Sequence, residues 1–247
     1  MHEDTVNEKV YIHEFINITK QHRARYMHHM TANWSPIAQE QRGQLCYGVW
    51  GVVGSTGPWP QVVNLWEEDG FAGLAASFRL EFGNKILQDP ALEKWWAAAA
   101  DLRSGGFDRI VVPHPGNAAI GALCADGPVG AEVYAHEIIG VPQGGAWKAA
   151  DLVAAHADAA RARTGWRLLG AFVTAMHALD EVILLWAIPD WEAWAAAEEE
   201  AIRGRDGLLP EGTGLLNRDR ILLVDAPLSP LRTGRQPHRD DRTDWTD

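Results

Sequence analysis

Two strand-like segments carry the residues best suited to proton transfer. Residues 10–14 read VYIHE and residues 133–137 read VYAHE, so each sets a histidine beside a glutamate: His13 with Glu14, and His136 with Glu137. Successive side chains on a strand point to opposite faces, so neither dipeptide forms a dyad by itself. Val10, Ile12, Glu14 and Ile16 share one face; Tyr11, His13 and Phe15 share the other. Both faces are largely apolar, the pattern of a strand covered on both sides. A glutamate in such surroundings is pushed toward its neutral form and suits general acid–base work, which makes Glu14, Glu137, His13 and His136 the catalytic candidates. The competing reading pairs each glutamate with an arginine, such as Arg109 or Arg220, and makes the histidines satisfied core residues.

The run QVVNLWE (61–67) puts Asn64 and Trp66 on one face, and EVILLWA (181–187) repeats the tryptophan as Trp186. Together with Trp50 in LCYGVWGVV, these form an aromatic pocket for a flat or apolar molecule, or else an ordinary aromatic core. In QHRARYMHHM (21–30), His22 and Tyr26 are four apart, as are Arg25 and His29, so each pair shares a helix face. The cluster lacks HExxH spacing and is expected to be a solvated face, not a metal site. No GxGxxG, Walker A, GxSxG or CxxC pattern occurs, and the two cysteines are Cys46 and Cys124. A reaction without metal or organic cofactor is therefore expected. Heme needs only one histidine, and His156 and His177 keep it open.

These candidates sit on two copies of one pattern. LWEEDGFAGLA (65–75) is answered by LWAIPDWEAWA (185–195), and DRIVV (108–112) by DRILL (219–223), in the same order as the VYxHE pair. Each copy reads as a strand, a helical stretch (about 20–42 or 145–164), two strands, a helix and a final strand. That order, β-α-β-β-α-β, is the ferredoxin-like split unit, and a repeat this long is a domain-sized duplication. The expected fold is α+β, with two such units over 7–115 and 130–228 packed as an intrachain barrel. Residues 116–129 read as a linker and 229–247 as a loose polar tail.

At PQVVNLWEEDGFAGLAASFR (60–79), DPALEKWW (89–96) and VYIHEF (10–15), the sequence resembles the NIPSNAP family. That resemblance covers residues 9–113 and implies the dimeric α+β barrel superfamily, which includes monooxygenases, isomerases, heme-degrading enzymes and members without a known reaction. Alignment with the family's IYELRTY-type first strand implies that Ile12 and Glu14, and likewise Ala135 and Glu137, face an interior cavity. Trp66 falls at a position similar to a cavity tryptophan of the heme-degrading relatives. The helix after Trp66 lacks the histidine that those relatives carry.

With 47% hydrophobic and 22% charged residues, the 247-residue chain has globular composition. Its net charge of −11 shows no basic patch for nucleic acid. No apolar run approaches the roughly 20 residues of a membrane helix. The polar start, MHEDTVNEKV, points to a cytoplasmic protein. A small-molecule enzyme is expected, an isomerase, lyase or cofactor-free monooxygenase acting on an apolar metabolite bound by Trp66, Asn64, Trp50, Ile12 and Trp186. Its partners would be a small ligand and other copies of itself. The alternatives are a heme-binding dehydratase or oxygenase, and a non-catalytic ligand-binding or scaffold module.

Overall fold

The computed structural model describes residues 6–243. The first half runs β1 (Val10–Ile18), α1 (Arg23–His28), a π-helical turn (His29–Trp34), α2 (Ser35–Arg42), β2 (Leu45–Val52), β3 (Gln61–Glu68), α3 (Gly70–Phe82), α4 (Glu93–Ala100) and β4 (Arg103–Pro113). After a short α5 (Ile120–Leu123), the second half runs β5 (Val133–Gly140), α6 (Ala146–Thr164), β6 (Arg167–Thr174), β7 (Glu181–Ile188), α7 (Trp191–Ile202) and β8 (Asn217–Asp225). A last short helix, α8, spans Pro230–Thr233. No described helix is long and apolar enough to cross a membrane.

The strands close an eight-stranded barrel in the order β1-β3-β2-β8-β5-β7-β6-β4. Each half contributes its four strands in the same order, and the halves meet at two seams, β2 with β8 and β4 with β6. All pairings are antiparallel, and closure leaves no sheet edge. The α+β barrel expected from the duplication is thus the observed fold, completed within one chain.

Three apolar layers result. Tyr11, Tyr47, Trp50, Tyr134 and Phe172, drawn from both halves, fill the barrel interior. Outside it, the first-half helices pack Tyr26, Met30, Trp34 and Trp95 over Ile16, Val62 and Trp66. The second-half helix α6 packs its alanines and Val153 over Val133, Leu184 and Trp186. The alanine-rich helix lies close to its sheet because methyl side chains leave little room between them.

The faces are thereby assigned, opposite to expectation. Tyr11, His13 and Phe15 point into the barrel, whereas Glu14 lies on the helix side, and Glu137 does likewise in the second half. Period-two alternation relates residues to one another, but it cannot say which apolar face is inner. The segments expected as linker and loose tail are also ordered. Ile120 and Leu123 of α5 and Leu231 of α8 plug one end of the barrel. Further on, the Gln236 side chain bonds both backbone groups of Cys46, and Arg239 pairs with Glu40 on α2. Residues 244–247 of that tail lie outside the described residues.

Candidate functional site

Glu14 sits in the middle of β1, opposite Asn64 on β3 and Asp108 on β4. Its Oε2 accepts hydrogen bonds from Asn64 Nδ2 at 2.8 Å and from Trp66 Nε1 at 2.8 Å. Asn64 Nδ2 also donates to the Tyr26 hydroxyl at 3.2 Å, which ties α1 to the strands. No donor occupies Glu14 Oε1 among the described residues. Burial raises the Glu14 pKa from 4.5 to about 7, and the neighbouring Asp108 carboxylate adds to the rise, outweighing the two hydrogen bonds and Arg103. Burial likewise lifts the Asp108 carboxyl above its usual range. Tyr26 is raised further, again by burial and then by Glu14, so it stays protonated.

Glu14 is shared by two adjoining cavities between the sheet and the helices. The inner one, about 190 Å³, is walled by Ile12, Trp34, Trp66, Trp95 and Trp96. The outer one, about 450 Å³, passes Phe78 and Asp108 toward Met176 and His177 on the β6–β7 turn. The indoles of Trp34, Trp95 and Trp96 contact one another, with ring centroids 4.6 Å apart for Trp34 and Trp95 and 4.7 Å for Trp95 and Trp96. Arg42 lies over Trp34 and Arg103 over Trp96 as cation–π contacts. Trp95 Nε1 and Trp96 Nε1 are buried without a hydrogen-bond partner. The π-helical turn that delivers Met30 and Trp34 is of a kind often found at functional sites.

The second half repeats the motif and then neutralises it. Trp186 Nε1 donates to Glu137 Oε2 at 3.1 Å, as Trp66 does to Glu14. Glu137 Oε1, however, is held by both Arg218 and Arg220. In register, Glu137 faces Leu184 and Arg220, where Glu14 faces Asn64 and Asp108. Ile139 faces Arg218, where its counterpart Ile16 faces Gly106. Two arginines and a leucine have therefore replaced a glycine, an aspartate and an asparagine. Glu137 is completely buried and ion-paired, a structural group; Glu14 has no ion-pair partner among the described residues.

The other sequence candidates fall elsewhere. Ile12 does line the Glu14 cavities, but Trp50 points into the barrel, tilted against Tyr134, and cannot join that pocket. Trp186 serves Glu137 in the second half. His13 and His136 meet inside the barrel, Nε2 to Nε2 at 2.8 Å with rings stacked. Burial and then the Arg109 charge lower the His136 pKa to about 3; burial, His136 and Arg109 lower His13 as well, so the pair is neutral and one ring donates to the other. The histidine-rich segment is a solvated face only in part: Gln21, Ala24 and Arg25 are exposed, but Tyr26 is buried at the site and His29 stacks on Trp95. Tyr26, Trp34, Trp95, Trp96 and Asp108 were missed because each is brought in by tertiary packing; the one local signal was a tyrosine four residues after His22.

Comparison with known proteins places the fold. No family model matches the chain, and no curated protein matches it. Among solved structures, an anthrone oxidase-like protein superposes with a TM-score of 0.57 at 10% identity over 97% of each chain. An uncharacterized NIPSNAP-like domain protein from Burkholderia xenovorans is 17% identical over 43% of this chain and 85% of that one, with a TM-score of 0.34. Likeness at this level of identity shows the fold alone, and the narrower NIPSNAP assignment is not carried further. A heme-binding protein from Thermus thermophilus is 14% identical over 88% of this chain and 91% of that one, with a TM-score of 0.44. The expectation of a reaction without an organic cofactor is withdrawn, since the matching solved structures include a heme-binding protein.

Heme would need a free axial ligand and a cavity of its own size. His29 offers a neutral imidazole, its pKa lowered to about 4 chiefly by burial, with a buried Nε2 that has no partner. Trp95 lies across its ring, and His29 does not line the inner cavity, whose 190 Å³ is below the roughly 300–1,000 Å³ of ordinary ligand pockets. As placed, His29 and the inner cavity do not fit a tetrapyrrole. Of the histidines that kept heme open, His156 is tied to the Gly207 carbonyl, whereas His177 borders the 450 Å³ outer cavity. Among the described residues no group of three or more metal-ligating side chains converges.

Proposed function

We propose that the chain is an enzyme that moves a proton on a small, flat, apolar molecule held between the first-half helices and sheet, with Glu14 as the acid or base. The observation that carries this reading is the contrast between the halves. The same Glu–Trp pair is present twice, but only Glu14 lacks an ion-pair partner among the described residues and titrates near neutrality, on a cavity large enough for a substrate. A group with its pKa near the working pH is the most effective proton carrier.

In this reading Asn64 and Trp66 hold Oε2 and set the carboxyl's rotamer, and Oε1 serves the substrate. Tyr26 positions Asn64. Ile12, Phe78 and Ile110 of the outer cavity take the apolar body of the substrate, while Trp34, Trp95 and Trp96 close its inner end and exclude water. Isomerisation and elimination both need such a proton transfer.

The test is hydrogen–deuterium exchange at carbon, followed by mass spectrometry over a panel of ring ketones and phenols in deuterated buffer. Wild-type protein should catalyse exchange into at least one of them, and Glu14→Gln should lose about 10²-fold or more. Equal exchange by both proteins would remove Glu14 from the mechanism. A Soret band in the protein as purified would replace proton transfer by heme chemistry as the account of this pocket.

A further inference from the structure

One end of the barrel is plugged and the other is open. The Ile120 N–H in the plug bonds Glu67 near the end of β3, whereas the open mouth is lined by Gln61 at the start of that strand. The mouth encloses about 530 Å³ between Phe15, Phe107, Ile138 and Ile221, with His136 behind them. That volume lies in the range of small-molecule sites. Arg109 borders it with a side chain only 8% exposed. One of its terminal nitrogens pairs with Glu181, but Nε is buried and has no partner. Its guanidinium sits 4.5 Å over Phe107, which stacks on Phe15.

We propose that the barrel mouth is a second ligand site that takes a small aromatic carboxylate, its ring against Phe15, Ile138 and Ile221 and its carboxylate on the Nε edge of Arg109. The walls supply apolar contact, and the unused guanidinium edge is the complement of a carboxylate. Asp219 on the rim is exposed, so its opposing charge is screened by solvent, whereas Arg109 is not. The neighbouring Arg220 adds nothing to the mouth, because it is committed to Glu137 and Glu198. Both halves contribute walls, so the site exists only in the closed barrel. It opens on the face of β1 opposite the Glu14 cavities and shares with the outer one only Arg109.

Benzoate is the probe, read by isothermal titration and by the imidazole ¹⁵N resonances of His136, which borders the mouth, and of His13, which is hydrogen-bonded to it. Saturable binding with a Kd on the order of a millimolar or tighter is expected for a ligand of this size. The neutral analogue benzamide should bind at least about tenfold more weakly. Arg109→Lys keeps a cation for Glu181 but loses the fork, and should weaken benzoate about tenfold. Ile138→Trp fills the mouth and should abolish binding, which keeps the test decisive if Arg109→Lys fails to fold. Glu14→Gln should leave the affinity unchanged. Absence of a saturable shift up to tens of millimolar benzoate, indifference to Ile138→Trp, or loss of binding in Glu14→Gln would each overturn the proposal.

Discussion

Replacing Glu14 by Gln should raise stability while it removes activity. In the folded chain the Glu14 pKa is raised from 4.5 to about 7, so the native state holds that proton more tightly than the unfolded state does. Stability from this group is complete below about pH 4.5, falls as the pH rises to about 7, and is then constant. At about 1.4 kcal/mol per pKa unit, the displacement corresponds to a penalty of about 3 kcal/mol at pH 8. The carboxyl is partly accessible from the cleft, and solvent screening brings this to about 1.5–2 kcal/mol. Glutamine avoids the penalty, and its amide oxygen can accept both Trp66 and Asn64, since a single oxygen of Glu14 already does so. For a chain of this size, that gain is worth roughly 4–6 °C in Tm. Thermal unfolding of both proteins at pH 4 and pH 8 measures it. The variant should melt above wild type at pH 8, and the two should converge at pH 4. A less stable variant at pH 8, or an equal difference at both pH values, would refute the assignment of Glu14 as a desolvated, unpaired carboxyl.

The equivalent change in the second half should act in the opposite direction. Glu137→Gln strips the shared partner from Arg218 and Arg220 and should cost about 2–3 kcal/mol in urea unfolding, less than a fully orphaned buried charge because Asp206 and Glu198 remain. Asp108→Asn removes the carboxylate that repels Glu14, so the Glu14 titration, followed by ¹³C NMR, should move toward lower pH together with the limb of the pH–rate profile. Asp225, whose pKa burial raises to about 7 despite a 2.6 Å hydrogen bond from Tyr134, should give a second pH-dependent gain: Asp225→Asn is expected to stabilise the protein at pH 8 and not at pH 4. Leu231→Ala should cost about 2–5 kcal/mol in urea unfolding if α8 is an integral plug of the barrel, and almost nothing if that tail is loose.

Repetition and periodicity were legible in the residues alone. The VYxHE, LW and DRIxx pairs established two units of the same element order, and strand alternation placed Glu14 on one face of β1 and Asn64 with Trp66 on one face of β3. Those three side chains do meet, because the antiparallel register sets Glu14 opposite Asn64 and Ile12 opposite Trp66. What alternation could not supply was the absolute sense of the faces. With apolar residues on both sides of β1, either side satisfies the hydrophobic pattern, and only closure of the barrel decided that His13 points in and Glu14 out. Closure also joined His13 to His136 across 123 residues and gave Glu137 its two arginines, while Glu14 forms no ion pair among the described residues. Whether a buried carboxylate is a structural ion or a proton carrier depends on the charges within a few ångströms of it. Those charges lie on β4 and β8, far from Glu14 and Glu137 in sequence, and only the packed strands bring them into range.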